Sequence, residues 1–174
     1  GLVERYGADL FEDALDSYLA FTERRFHAAV AALPEGSYSA EDFLSGDELG
    51  SFARIACTVT IADEKLSFDF VGTAPQLSTA RNIPHQALVA TVFCVVKALL
   101  DPDAPANGGA FRVIGIEAPP GCIVQPVPPG PVGTRSISCS VLSDVIQVAL
   151  SQAIPGRSFA GSGPHHLLVL AGTD

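Results

Sequence analysis

The sequence predicts an α+β fold, and three observations predict it. Asp9–Leu33 repeats apolar residues at spacings of three and four, as one face of a helix does. Phe52–Phe70 alternates apolar and polar residues with period two, as paired strands do. The later segments read helix, strand, helix, an order that fits a helical layer on a sheet and not strict βαβ alternation.

In the first helix the stripe is Phe11, Leu15, Tyr18, Thr22, Phe26, Ala29 and Leu33, with Glu23, Arg24 and Arg25 toward the other side. Gly7 precedes it and Pro34 stops it. The stripe is expected to lie on a core. Pro34-Glu35-Gly36 reads as a turn, and the polar, acidic stretch Ser39–Gly50 as a surface loop.

The hairpin follows. Ile55, Cys57, Val59 and Ile61 share one face, the turn falls at Ala62–Lys65, and Leu66, Phe68 and Phe70 continue the apolar face. Gly72–Ile83 is a loop. Pro84 suits the first turn of the next helix, with Asn82 near its cap. That helix runs to Leu100 and is apolar nearly all round, which predicts a central position buried on most of its circumference and packed on the hairpin. Pro102–Gly109 is turn-rich, Phe111–Glu117 has strand character, and Pro119–Gly133 carries six prolines around a short extended piece at Ile123-Val124. Ser136–Ala153 reads as the last helix, closed by Pro155-Gly156, and Ser158–Pro164 as a glycine-rich loop.

Composition narrows the function. With 174 residues the chain can bury one real core, yet it is 48% hydrophobic with a mean hydropathy of +0.33. A domain so apolar is expected either to bury surface on a partner or to be part of a larger protein. The absence of Met, and an apolar run at Leu167–Leu170 just before the end, favour a piece of a longer chain. The net charge of -9 argues against nucleic acid and against an anionic membrane surface, both of which attract clustered Lys and Arg. The longest apolar stretch, Ala87–Leu100, contains Lys97 and falls short of the ~20 residues of a membrane span. Cys57, Cys94, Cys122 and Cys139 form no zinc-type pair and are expected to be four buried thiols in a reducing cytoplasm.

Four side chains are weak candidates for chemistry: Asp69, Asn82, Asn107 and Arg112. Asp69 stands where a strand meets a Gly-Thr-Ala-Pro loop and either faces a cleft or bonds loop amides; the second role is the commoner. Asn107-Gly108-Gly109 with Arg112 could let a ligand approach backbone amides beside a guanidinium, or form a left-handed turn with Arg112 paired to an acid such as Asp69 or Asp101. Gly109 is expected to need a backbone conformation costly for other residues. His85 reads as a packed or capping residue and His27 as solvated, while the adjacent His165 and His166 point in different directions in a strand and do not make a metal pair alone. Ser136, Ser138, Ser140 and Ser143 lack a nucleophile elbow and read as small residues of a packed helix.

The order DFVGTAPQ (Asp69–Gln76), NIPHQALVATVFCVVKALL, then DPDAPANGGAFR ending at Arg112, resembles the hydantoinase B / 5-oxoprolinase family, and the opening GLVERYGADLFEDALDSYLAF extends the likeness over almost the full length. The resemblance implies a B-type subunit, of which this chain would be a middle portion, about a third. It implies an A-type companion that uses ATP to phosphorylate a lactam, imide or ketone oxygen. Hydrolysis or carboxylation would then finish on the B-type subunit, commonly at a divalent metal. The family's metal motifs lie upstream and downstream of the matching segment, so no metal ligand and no cofactor-binding residue is carried over. The expected function is a scaffold and active-site wall of an ATP-dependent hydrolase of hydantoin or 5-oxoproline type. A ketone carboxylase subunit and a non-enzymatic assembly module are the alternatives.

Overall fold

A computed structural model describes residues 1–157. The expectations for Ser158–Pro164, His165, His166 and Leu167–Leu170 lie outside the described residues.

The fold is mixed α and β. A short helix α1 (Leu2–Tyr6) leads into the long helix α2 (Ala8–Ala31). Three antiparallel strands follow, β1 (Gly36–Ser45), β2 (Phe52–Ala62) and β3 (Lys65–Asp69). Helix α3 (His85–Leu100), a single 3₁₀ turn (Ala110–Arg112), strand β4 (Ile114–Glu117) and helix α4 (Arg135–Ser151) complete it. The strand order is β1-β2-β3-β4, with β4 parallel to β3. Helices cover one face: α4 lies over β1 and β2, α2 meets β3 and the 3₁₀ turn, and α3 touches both helices.

The hairpin turn comes where the sequence puts it. Asp63 and Glu64 both take positive φ, 50° and 57°, the backbone of a tight two-residue hairpin turn. The alternating residues do what period two requires: Ile55, Cys57, Val59, Ile61, Leu66 and Phe68 are buried beneath the helices.

The acidic stretch after Gly36 is a correction. It forms strand β1, paired along its length with β2 from Gly36↔Ile61 to Ser45↔Phe52. Its core-facing positions, Tyr38, Ala40, Asp42 and Leu44, are opposite Val59, Cys57, Ile55 and Ala53. Only Leu44 among them is fully buried, so an edge strand this polar carries almost no alternation signal. On the open face its hydroxyls make cross-strand bonds instead, Ser39 Oγ to Thr58 Oγ1 at 2.9 Å.

Two helix expectations are also corrected. In α2 only Thr22, Phe26 and Val30 are buried, so the first half of the predicted stripe does not reach this core. In α3 the core takes Leu88, Val92, Val95, Val96 and Leu99, while Ala90, Cys94 and Ala98 face outward. Apolar content all round does not distinguish the two sides of a helix, and the outward side here is made of small residues. The N-cap of α3 is Pro84, with no side-chain cap bond, and Asn82 works elsewhere. Among the cysteines, Cys57 and Cys122 are buried, Cys139 is half-buried and Cys94 is exposed.

Candidate functional site

Two loops leave the same end of the sheet, 70–84 after β3 and 118–134 after β4, and hydrogen bonds zip them together. Backbone bonds run from Gln76 N to Gly121 O (2.8 Å), Ile123 N to Ala74 O (3.0 Å) and Ile83 N to Ile123 O (2.7 Å). The Gln76 amide adds two more, accepting from Val127 N at 2.7 Å and donating to Val127 O at 3.2 Å. The extended piece expected at Ile123-Val124 is instead a tight turn between Cys122 and Gln125, and the isolated bridges of the zipper fall at Cys122, to Pro75 and to Gln125.

Asn82 is the buried centre of this arrangement. Its Oδ1 accepts from Leu77 N (2.7 Å), and its Nδ2 donates to Leu77 O (2.8 Å), Thr79 O (3.3 Å) and Pro131 O (2.9 Å). With its surface wholly inaccessible and both amide atoms engaged, Asn82 has no group to offer a ligand. Ser138 adds a further tie from α4, donating to Arg81 O at 2.5 Å.

Asp69 lies at the end of β3, opposite Thr58 and beside Glu117. Its Oδ1 accepts from Val71 N at 2.8 Å, a bond that turns the chain into Gly72. Gly72 has φ 92°, a backbone that side chains with a Cβ rarely adopt. Next to Thr58, the open sheet face has a hollow of about 300 Å³ lined by Ser39, Glu41, Arg54, Thr58 and Val71. Arg54 is its cation, and Glu41 already pairs with it. Thr73 closes the neighbouring wall, its Oγ1 donating to Ala56 O (3.1 Å) and accepting from Ala56 N (3.2 Å).

Asn107 and Arg112 belong to the other end of the sheet. Asn107 Nδ2 donates to Thr22 Oγ1 at 2.9 Å, and its Oδ1 accepts from Gly109 N at 2.9 Å. Arg112 pairs with Glu23 on α2 at 2.8 Å, not with Asp69 or Asp101. Asp101 has a different partner: Arg25 grips both its oxygens at 2.6 Å, which holds the Asp101 carboxyl below its ordinary range and raises the guanidinium. Gly109 is a correction of mechanism. Its φ and ψ, -61° and -35°, suit any residue, but a Cβ there would stand 2.1 Å from Leu19 O. The glycine is needed because α2 passes against it.

The four candidates therefore do not converge. Glu117 is beside Asp69 and Ile114 beside Leu66, so Arg112 lies below the start of β4 while Asp69 is level with its last residue, a separation on the order of 10–15 Å. His85 is exposed and its Nδ1 meets Gln125 Oε1 at 3.1 Å, so it is neither packed nor a cap. His27 Nδ1 meets Glu64 O at 3.1 Å over the hairpin turn. Among the described residues no group of three His, Cys, Asp or Glu side chains is arranged to hold a metal ion.

Sequence reasoning missed Asp47 and Arg81. Asp47, at the β1–β2 turn, accepts from Ser78 N (2.5 Å), Thr79 N (3.2 Å) and Thr79 Oγ1 (2.8 Å), and these bonds hold its carboxyl down at about 2. Arg81 answers in the opposite direction, donating to Ser45 O (2.5 Å) and Gly46 O (2.8 Å). Together they clamp the turn to the zipped loops. Partners more than 30 positions apart give no local signal.

The hydantoinase B/oxoprolinase profile matches residues 1–174. The chain belongs to that family. It is 31% identical over 183 residues to a sequence assigned as the B-type subunit of a D-/L-hydantoinase from Pseudomonas sp. (strain NS671), covering 98% of this chain and 31% of that one. It is 25% identical over 177 residues to the beta subunit of the caprolactamase of Pseudomonas jessenii, covering 99% of this chain and 30% of that one. Among solved structures, the ATP-dependent caprolactamase from Pseudomonas jessenii superposes with a TM-score of 0.82 at 23% identity, over 90% of this chain and 27% of that chain. The nucleotide-free acetone carboxylase superposes with a TM-score of 0.75 at 17% identity, over 90% and 22%. These likenesses show the fold. The chain spans about three-tenths of the length of the curated relatives. No helix among the described residues is long and apolar enough to cross a membrane.

Proposed function

We propose that this chain is a scaffold and active-site wall within the B-type subunit of an ATP-dependent cyclic-amide hydrolase of hydantoin or 5-oxoproline type. The observation that carries the reading is how the motif side chains use their hydrogen bonds. Asp69, Gln76 and Asn82 are turned inward onto backbone groups of the two zipped loops, and Thr73 onto the Ala56 backbone of β2. Residues that hold a wall rigid are used in this way, whereas residues that meet substrate leave a donor or acceptor free. Membership of the family supports the wider enzyme.

In that enzyme the A-type companion would transfer a phosphoryl group from ATP to the amide oxygen, which makes the ring carbon electrophilic enough for water to attack. A divalent metal would supply activated water. No step is assigned to the residues of this chain.

The test uses the full-length protein copurified with its companion. Ring opening of hydantoin, 5-oxoproline or caprolactam, coupled to ATP hydrolysis, is expected. Carboxylation of acetone with bicarbonate, and no ring opening, would replace this reading with the carboxylase one. Within the active enzyme, Gln76→Ala should lower the melting temperature and leave kcat per folded molecule within a few-fold. Loss of kcat at unchanged melting temperature would overturn the wall assignment.

A further inference from the structure

Asn107-Gly108 is the one Asn-Gly pair in this chain, and its atoms can react with each other. Gly108 has no Cβ to hinder its own backbone nitrogen, which can therefore reach the side-chain Cγ of Asn107. The chemistry needs only water. Hydroxide takes the proton of the Gly108 nitrogen, and that nitrogen bonds to Cγ. The Cγ–Nδ2 bond breaks, and Nδ2 takes a proton from water and leaves as ammonia. Water then opens the five-membered imide at either carbonyl. Opening at Cγ leaves aspartate. Opening at the main-chain carbonyl leaves isoaspartate, whose backbone runs through Cβ and Cγ and is one carbon longer.

The fold holds this reaction off. Both atoms of the Asn107 amide are engaged at 2.9 Å: Nδ2 donates to Thr22 Oγ1 on α2, and Oδ1 accepts from Gly109 N. Losing Nδ2 as ammonia breaks the bond to Thr22, and closing the ring turns the backbone of residues 107–109. That turn has no room, because a Cβ on Gly109 would already stand 2.1 Å from Leu19 O and 3.0 Å from the Thr22 Cβ. Neither product restores the contact. An aspartate has no N–H for Thr22 Oγ1, whose own hydrogen goes to Tyr18 O at 3.3 Å. Isoaspartate adds a backbone atom where Gly109 is pressed on α2. Ring closure and a docked α2 exclude each other.

We infer that Asn107-Gly108 is a self-modification site sealed by α2, and that conversion to aspartate or isoaspartate there releases the helix from the loop. Conversion proceeds through locally opened molecules, so its rate in the folded protein reports how often α2 lifts away. The other asparagine of this chain, Asn82, precedes the β-branched Ile83 and is the internal control.

In the experiment, full-length protein is incubated in mildly alkaline buffer, folded and in guanidinium chloride. Conversion at Asn107 is followed by peptide mapping and by enzymatic methyl-labelling of isoaspartate. The unfolded protein should convert at least tenfold faster than the folded one, with Asn82 far behind in both. Thr22→Val removes the acceptor and should speed conversion of the folded protein roughly fivefold, the effect of one lost hydrogen bond. Thr22→Ser keeps the hydroxyl and should stay close to the parent. Gly108→Ala fits the fold, since its backbone is not left-handed and its Cβ would meet Leu19 Cδ2 at an ordinary 3.7 Å. It should largely stop conversion even in guanidinium. Equal rates in folded and unfolded parent would overturn the seal, and so would a folded Thr22→Val protein that converts no faster than the parent. If Thr22→Val does not fold, the ratio of the two parental rates decides. No conversion at Asn107 in guanidinium would overturn the site itself. Converted protein, isolated by ion exchange, should melt below the parent, and unchanged melting would refute the release of α2.

Discussion

Replacing Gly109 by alanine separates two reasons for having a glycine. If the position needed a left-handed backbone, asparagine would be the best substitute and alanine a poor one. Its φ of -61° and ψ of -35° remove that reason, and on conformation alone alanine would stabilise by about 0.4–1 kcal/mol through the unfolded chain. Space decides the opposite. An added Cβ would lie 2.1 Å from Leu19 O and 3.0 Å from the Thr22 Cβ, where ordinary contact begins at 3.4 Å. The loop must retreat from α2 by about 1 Å, an overpacking of roughly 1–3 kcal/mol. The retreat strains the 2.9 Å bond from Asn107 to Thr22, a further ~1 kcal/mol. The net loss is about 1–3.6 kcal/mol, which lowers the melting temperature by roughly 2–14 °C in a protein of this size. Thermal melts followed by circular dichroism on Gly109→Ala and Gly109→Asn give the answer. Both should fall, Asn at least as far as Ala. An alanine variant that melts with or above the parent would refute the close-approach argument, and a tolerated asparagine beside a damaged alanine would restore the conformational one.

Asn82→Ala should cost about 3–5 kcal/mol, because Leu77 N and three carbonyls lose a partner in a site that water does not reach; a change under about 1 kcal/mol in urea denaturation would contradict this. Arg112→Lys keeps a cation near Glu23 across a half-exposed pair, so stability should change by less than about 1 kcal/mol and activity of the complete enzyme should persist. Loss of most activity at unchanged melting would instead make Arg112 a substrate or phosphate ligand. Asp47 has a folded pKa depressed to about 2 from an ordinary 3.8, so its stabilisation is complete above pH 4 and is lost as pH falls through 2. Asp47→Asn should flatten the acid limb of the melting curve over that window, and an identical limb in both proteins would sink the clamp. With a thiol reagent at neutral pH, Cys94 should react promptly and Cys57, buried and pushed up to about 12, only on unfolding. A fast phase that survives Cys94→Ala would show that another cysteine is open.

The sequence by itself determined the elements whose residues report on themselves. Alternation set the β2–β3 hairpin and its turn, helical spacing set α2, α3 and α4 to within a few residues, and the DFVGTAPQ-to-Arg112 order carried the family. It could not find β1, whose core-facing Tyr38, Ala40 and Asp42 look like loop residues until β2 lies beside them. Nor could it tell which side of α3, or which half of α2, meets the core, because an apolar face has the same pattern whether it packs inside this chain or waits for another surface. The roles of Asn82, Asp47 and Arg81 were decided by tertiary structure alone: each bonds groups brought near by the fold, to Pro131, Thr79 and Ser45 respectively. Local periodicity records what a residue contributes to its own helix or strand. A hydrogen bond across the fold is recorded in neither of the two segments it joins, and neither is the 2.1 Å gap that makes Gly109 a glycine.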